Sequence, residues 1–217
     1  MVHLYRGTAS SLSTDIAEGR LVPGLTQRFR NRMLYNPTIP EINSWTHSLP
    51  AVARELIAAG LDDVEVLIEY FLPLSSKRAD VVVIGTHPIT NAISAVIWEN
   101  KQWTSGDISD VEDRLVSVLG RITLHPQQQV SQYVEYITDF NHLAHDGSLT
   151  VKGLAFLHNA TVTELAPLRS ASLADLSEYP MFSGDEVGSL RSFLQQNLSG
   201  TGSAKAADDF ITARTRP

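Results

Sequence analysis

There is no cysteine in the 217 residues, which excludes disulfides and thiolate metal sites. Any metal must then be held by carboxylates, carbonyls or histidines. Basic residues are also scarce: 17 Lys and Arg stand against 24 Asp and Glu, a net charge of −7. Such a chain has no general positive surface to gather nucleic-acid phosphates, although a local basic stripe can dominate a contact face. No apolar run approaches the roughly 18–20 residues of a membrane span. The start, Met1-Val2-His3-Leu4-Tyr5-Arg6, lacks the apolar core of a secretory signal. The expected setting is the cytoplasm, away from membranes. The seven histidines form no His-x-x-x-His pattern. Gly200-Thr201-Gly202-Ser203-Ala204-Lys205-Ala206 lacks the Gly-Lys-Ser/Thr ending of a phosphate loop.

Against these absences, 43% hydrophobic and 19% charged residues suffice for a buried core. The first forty residues read as irregular, punctuated by Gly24, Pro37 and Pro40. Trp45, Leu49, Val52 and Leu56 recur at helical spacing, with a break expected at Pro50. Val64 to Leu72, Asp80 to Ile84 and Ile93 to Lys101 read as three strands of an antiparallel meander. Residues 107 to 124 are ambiguous: Asp110 to Leu119 suits a helix, while Leu115 to Leu124 around Gly120 suits the favoured hairpin. A helix opens at His125-Pro126, with Val130, Tyr133, Ile137 and Phe140 on one face. Val151 to Leu157 returns as a strand, and Val187 to Leu198 is a late helix. The Gly/Ser/Ala-rich stretch from Ser199 to Ala207 reads as a linker. The expected organisation is one α/β domain over residues 1–198, with 199–217 leading out of it.

Phosphodiester hydrolysis calls for a hard divalent cation, an activated water and neutralisation of the phosphate. Magnesium takes oxygen ligands and keeps several waters. Asp80 opens one strand of the meander and Glu99 closes the next, so a hairpin brings both carboxylates side by side. Residues two apart in a strand share a face, which points Lys101 the same way as Glu99. Asp80, Glu99 and the carbonyl of Asn100 are the candidate metal ligands, with Lys101 beside the attacking water. The bland reading is a surface ion pair where the strand leaves the core. Gln129 and Tyr133 lie four apart on one helical face. Arg28, Arg30 and Arg32 form the most basic cluster, a candidate grip on a nucleic-acid backbone or a solvated loop.

Asp80, Glu99-Asn100-Lys101 and the later Gln129-x-x-x-Tyr133 together resemble the RecB-like branch of the PD-(D/E)XK nucleases. The series Ser44-Trp45, Ile68-Glu69-Tyr70 with Pro73, Arg78-Ala79-Asp80, Glu99 to Trp103, His125-Pro126 and Leu157-His158-Asn159 is similar to the nuclease-like region of bacterial nuclease–helicase fusion proteins. The resemblance implies a restriction-endonuclease-like core: a helix, a three-stranded meander, a helix and a strand in a mixed sheet flanked by helices, with N- and C-terminal extensions. It implies Mg2+ or Mn2+ as cofactor, DNA as substrate, and Gln129 and Tyr133 beside the catalytic centre. It also implies a C-terminal P-loop ATPase of helicase type in the same parent chain, its junction near residues 213–217, and a role in phage defence. Two departures stand out: Ala79 replaces the nominal proline, and Asn100 replaces an apolar residue. An additional acidic residue is expected from Glu69 or Glu41, Glu69 being preferred, with a structural ion pair to Arg78 as its alternative. Readings of another class are a catalytically inactive nuclease-fold module for DNA binding or protein docking, and association of copies through the N-terminal forty residues.

Overall fold

A computed structural model describes residues 2–108, 114–169 and 175–213. The chain opens with β1 (Tyr5–Thr8), α1 (Ala9–Ala17), α2 (Leu21–Met33) and α3 (Ile39–Ala58). The meander follows as β2 (Glu65–Phe71), β3 (Arg78–Thr86) and β4 (Ile93–Lys101). Three short strands, β5 (Asp107–Ile108), β6 (Leu115–Val118) and β7 (Arg121–Leu124), lead into α4 (Pro126–Phe140) and the single turn α5 (His142–His145). Then come β8 (Leu149–Leu157), α6 (Val162–Leu165), β9 (Met181–Ser183), α7 (Val187–Asn197) and α8 (Ser203–Thr212).

The architecture is α/β. A six-stranded mixed sheet has the order β1-β2-β3-β4-β8-β9, antiparallel up to β4 and parallel from β4 through β9. Its two faces carry separate cores. Residues from α1, α2, α3 and α7 pack on one side, with Leu12, Phe29, Trp45, Leu56 and Leu190 buried there. Residues from α4 and α8 pack on the other, among them Val130, Ile137, Ala207 and Phe210. The central strands are buried on both faces, which is why they read as continuous apolar runs. Among the described residues no helix is long and apolar enough to cross a membrane.

Strands β2, β3 and β4, the hairpin of β6 and β7, and helices α4 and α7 lie where periodicity places them. The helix considered over residues 110–119 falls partly outside the described residues, and 115–118 are strand. Three expectations are corrected. The first forty residues are ordered as a strand and two helices. Thr8 caps α1 by accepting from the Ser11 N–H, and Leu21, Leu25 and Phe29 form one buried stripe of α2. Pro23 sits in the first turn of α2, where its missing N–H costs nothing. The break at Pro50 does not occur, since α3 runs through it. Burial of Trp45, Leu49, Val52 and Leu56 outweighs one lost hydrogen bond and a local clash of about 3 kcal/mol.

The third correction concerns the stretch read as a linker. Ser199 bridges to Thr86 through two backbone hydrogen bonds of 2.7 and 3.1 Å. Helix α8 then lays Ala206, Ala207 and Phe210 against the sheet, Phe210 meeting Tyr70 at 5.5 Å between ring centroids. Small residues let this helix approach closely, so the composition that suggests flexibility here serves packing. The expected junction over 214–217 lies outside the described residues.

One feature of β2 and β3 shapes everything beyond it. Alternation puts Val66 and Ile68 on the α3 side and Leu67 on the α4 side, yet Tyr70 and Leu72 are on the α4 side and Phe71 on the α3 side. The phase shifts at Glu69, which has φ +53. In β3 it shifts opposite, at Asp80: Val81 and Val83 face α3, whereas Ala79 faces α4. Ile68 pairs with Val81 and Tyr70 with Ala79, so the register survives while two residues, Glu69 and Asp80, change the facing of the chain. A left-handed residue of this kind costs about 1–2 kcal/mol.

Because Phe210 is fully buried, Phe210→Ala is expected to lower stability by about 3–5 kcal/mol. Urea unfolding checks this, and a loss under 1 kcal/mol would mean that α8 is not part of the domain core.

Candidate active site

Glu69, Asp80 and Glu99 stand at aligned positions across three neighbouring strands, since Ile68 faces Val81 and Val81 faces Trp98. Opposed residues on adjacent strands lie roughly 5 Å apart, so the backbone positions of three acids lie side by side where the sheet turns over. Asp80 is half-buried, and its Oδ2 accepts the backbone N–H of Asn100 at 3.2 Å. Glu99 is only 2% exposed. Its Oε1 accepts from the Lys101 ammonium at 2.7 Å and from the Gln129 amide at 2.8 Å. Its Oε2 is buried and receives no N–H or hydroxyl, and the Glu99 and Asp80 carboxyls are within hydrogen-bonding reach of each other.

Gln129 ties the site together. Its carbonyl oxygen accepts from Lys101 at 3.0 Å, while its amide nitrogen donates to Glu99 and to the Tyr133 hydroxyl at 3.0 Å. These contacts fix the orientation of the amide. The helix start that delivers it is set by His125, fully buried, whose Nδ1 accepts the Gln127 N–H at 3.2 Å. Its Nε2 lies 3.0 Å from the Leu168 carbonyl, so the imidazole is neutral with its proton on Nε2. Burial holds its pKa below the ordinary value despite that carbonyl. Trp103 supplies a cation–π face for Lys101 at 5.3 Å. The chain leaving β4 is anchored by the Gln102 amide, which donates to the Asn43 carbonyl and the Ser48 hydroxyl.

Glu69 faces the other way. Its Oε1 accepts the Trp45 indole N–H at 2.8 Å, and its Oε2 lies 3.1 Å from Arg78 Nε. Arg78 also donates to Glu41 at 2.7 Å. Glu41 in turn closes the capping box of α3 with Thr38. Both acids weighed as additional site members are therefore occupied by structural partners on the α3 side, and the ion-pair alternative for Glu69 is the one observed. Asn100 turns its side chain to that side too, accepting from the Trp98 indole at 3.1 Å. Only its backbone carbonyl remains for a cation. Of the arginine cluster, all three members are exposed on α2; Arg28 donates to the Leu4 carbonyl at 3.2 Å and Arg32 lies 3.8 Å over the Phe71 ring.

Electrostatics follow from burial and crowding. Desolvation, reinforced by the Asp80 charge and only partly opposed by Lys101, raises the Glu99 pKa to about 8. Desolvation also raises Asp80, against Lys101 and the Asn100 N–H. Glu69 is raised to about 7 by burial and then by Asp80, with Arg78 and Trp45 opposing. Burial lowers Lys101, but Glu99 and Asp80 outweigh it, so its ammonium titrates above the ordinary value. Lys101 is thus a fixed positive charge.

Among the described residues, no group of three or more His, Asp or Glu is placed to hold a metal. The donors that converge are two carboxylates, Asp80 and Glu99, with the backbone at Asn100. Two carboxyls crowded in one buried space cannot both ionise cheaply, and they are relieved either by sharing a proton or by a divalent cation held between them. Two carboxylates and a carbonyl also suit magnesium, which keeps several waters. No family model, curated protein or solved structure matches the chain.

A carboxyl group whose pKa is raised on folding binds its proton more tightly in the folded state. Metal-free protein therefore loses stability as pH climbs from the ordinary 4.5 toward about 8 at Glu99. Glu99→Gln removes that ionisation, so its Tm should fall less than that of the wild type between about pH 5 and about pH 8.5. Parallel Tm curves for the two proteins would contradict this account of the carboxylate pair.

Proposed function

We propose that this chain is a Mg2+- or Mn2+-dependent nuclease with a restriction-endonuclease-like core, hydrolysing phosphodiester bonds of DNA. The observation that carries the reading is the cluster of Asp80, Glu99, Lys101, Gln129 and Tyr133, in which Lys101 and Gln129 meet at Glu99 Oε1 while Glu99 Oε2 is buried with no N–H or hydroxyl donor. These residues come from β3, β4 and α4, the order on which the family resemblance rests.

Asp80 and Glu99, with the Asn100 carbonyl, are the residues that would hold the cation. When bound, such an ion supplies Lewis acidity at the phosphate and lowers the pKa of a bound water. The protein supplies the rest. Lys101, held by Glu99 and Gln129, can orient the attacking water by hydrogen bonding and offset negative charge developing on the phosphate. Gln129 holds both Glu99 and Lys101 from one amide, limiting their rotamers before substrate arrives. Tyr133 accepts from that amide and retains its own proton for donation: burial and the Glu99 charge push its pKa well above the ordinary range. The same resemblance supports a P-loop ATPase as working partner and a part in phage defence, and both belong to this proposal.

Asp80→Ala and Lys101→Ala are expected to reduce Mg2+- or Mn2+-dependent cleavage by roughly 100-fold or more, with circular dichroism and Tm still showing folded protein. Linear, circular and single-stranded DNA should be assayed with and without EDTA. Cleavage at the wild-type rate by either variant would sink the mechanism.

A further inference from the structure

The ladder between β3 and β4 ends at Val81 and Trp98. Strand β4 runs three residues further, with Asn100 beside Phe156 and Lys101 beside Leu157 of β8. Alternate residues of a strand aim their N–H and C=O at opposite edges. The Asn100 N–H goes to the Asp80 carboxylate at 3.2 Å, in place of a ladder carbonyl, so the Asn100 C=O leaves toward the β3 edge with it. Asp80 is thus tied to a strand end that lies beyond the ladder of its own strand.

What fixes the rotation of that strand end lies on the opposite face. Trp98 and Asn100, two apart, both point toward α3, and the Trp98 indole donates to Asn100 Oδ1 at 3.1 Å. Trp98 is fully buried and meets the Phe156 ring edge-on, at 5.8 Å between centroids. Phe156 is equally buried and is the cross-strand neighbour of Asn100. An indole packed in this way has no room to turn, so the amide that accepts from it is held too. Asn100 is 6% exposed, and its Nδ2 meets no acceptor among the described residues. The indole is therefore the one polar tie of this side chain. Holding Oδ1 on the α3 face resists rotation of the residue about the strand axis, and so sets the direction in which its N–H leaves toward Asp80.

Resting on the nuclease reading, we propose that the Trp98–Asn100 hydrogen bond is a clamp and that Asn100 is a positioning residue for Asp80. The clamp keeps the Asn100 N–H on Asp80 and the Asn100 carbonyl at the same edge, where that reading requires a cation. The two side chains act through Asp80 and through the peptide at position 100, from the far face of the sheet.

Hydrogen–deuterium exchange read at single amides by NMR, in EDTA, tests the clamp without calling on cleavage. Trp98→Phe combined with Asn100→Leu removes both partners and nearly conserves their summed volume, so Tm should stay within about 4 °C of the wild type. In that variant the amide at position 100 should exchange roughly tenfold faster, while those of Val96 and Ile97, paired on both sides, exchange as before. Trp98→Phe alone, which keeps Asn100, should give the same local loss, and Asp80→Ala should release the same amide. Mn2+ titrated by calorimetry should bind the paired variant roughly tenfold more weakly than the wild type. Unchanged exchange at position 100 in Trp98→Phe, in the paired variant or in Asp80→Ala would overturn the proposal. An equal rise at Val96 and Ile97 would do so too, as the mark of a contact that merely stabilises, and so would wild-type Mn2+ affinity in the paired variant. The two readings fail separately. Wild-type protein that binds no Mn2+ and cleaves no DNA defeats the nuclease reading, and exchange at position 100 then decides the clamp by itself. Metal-dependent cleavage by the wild type, with position 100 indifferent to Trp98, defeats the clamp alone.

Discussion

Negative charge placed where water is scarce is the constraint to which the rest of this structure answers. Glu69, Asp80 and Glu99 lie side by side across β2, β3 and β4, and like charges at such spacing destabilise a sheet. Two cations divide the row. Arg78 takes Glu69 on the α3 side, and Lys101 takes Glu99 on the α4 side. Asp80 stands between them and receives a backbone N–H from Asn100. The remaining strain appears as raised carboxyl pKa values and one carboxylate oxygen that receives no N–H or hydroxyl. A protein selected for stability alone would replace such a cluster with apolar residues.

The phase shift at Glu69 and Asp80 makes this division possible. Simple alternation from Val82 would put Arg78 on the α4 side with Asp80 and Lys101. The inversion instead brings Arg78 to Glu41, Phe29 and Phe71 beneath α2 and α3. One face then carries a structural ion network and the other carries Asp80, Glu99, Lys101 and Gln129. The left-handed Glu69 is held there by Trp45 and Arg78, in keeping with strain that persists where surrounding contacts over-determine it. Helix α3 therefore serves the site indirectly, by holding the residue that turns the strands.

Much of this is legible in the chain alone. Strand β4 stands out because Ile93 to Trp98 is apolar almost throughout, and the face shared by Glu99 and Lys101 follows from period-two geometry. The Gln129–Tyr133 pairing follows equally from helical spacing. The helices of the first forty residues are obscured by Pro23, Gly24 and polar neighbours, although Leu21, Leu25 and Phe29 keep their spacing. Helix α8 is obscured by its small residues, which suit a flexible linker and a close-packed helix equally well. The role of Glu69 stays open between two partners, because a carboxylate in an apolar strand does not announce which face it will take.

What the sequence determined by itself was the set of chemical groups and their local geometry: carboxylates without thiols, a carboxylate and a lysine on one strand face, a glutamine and a tyrosine on one helix face. These depend on covalent spacing and on the two regular periods of the backbone. Tertiary structure alone decided which groups meet. It separated Glu69 from Asp80 through a left-handed residue within a strand buried on both faces, where hydrophobic pattern carries no phase. It set Arg28 at the Leu4 carbonyl and Arg32 over the Phe71 ring, and it folded the supposed linker onto β3. Each outcome depends on contacts between segments far apart in the chain, whose free energy outweighs the local preferences from which a sequence is read.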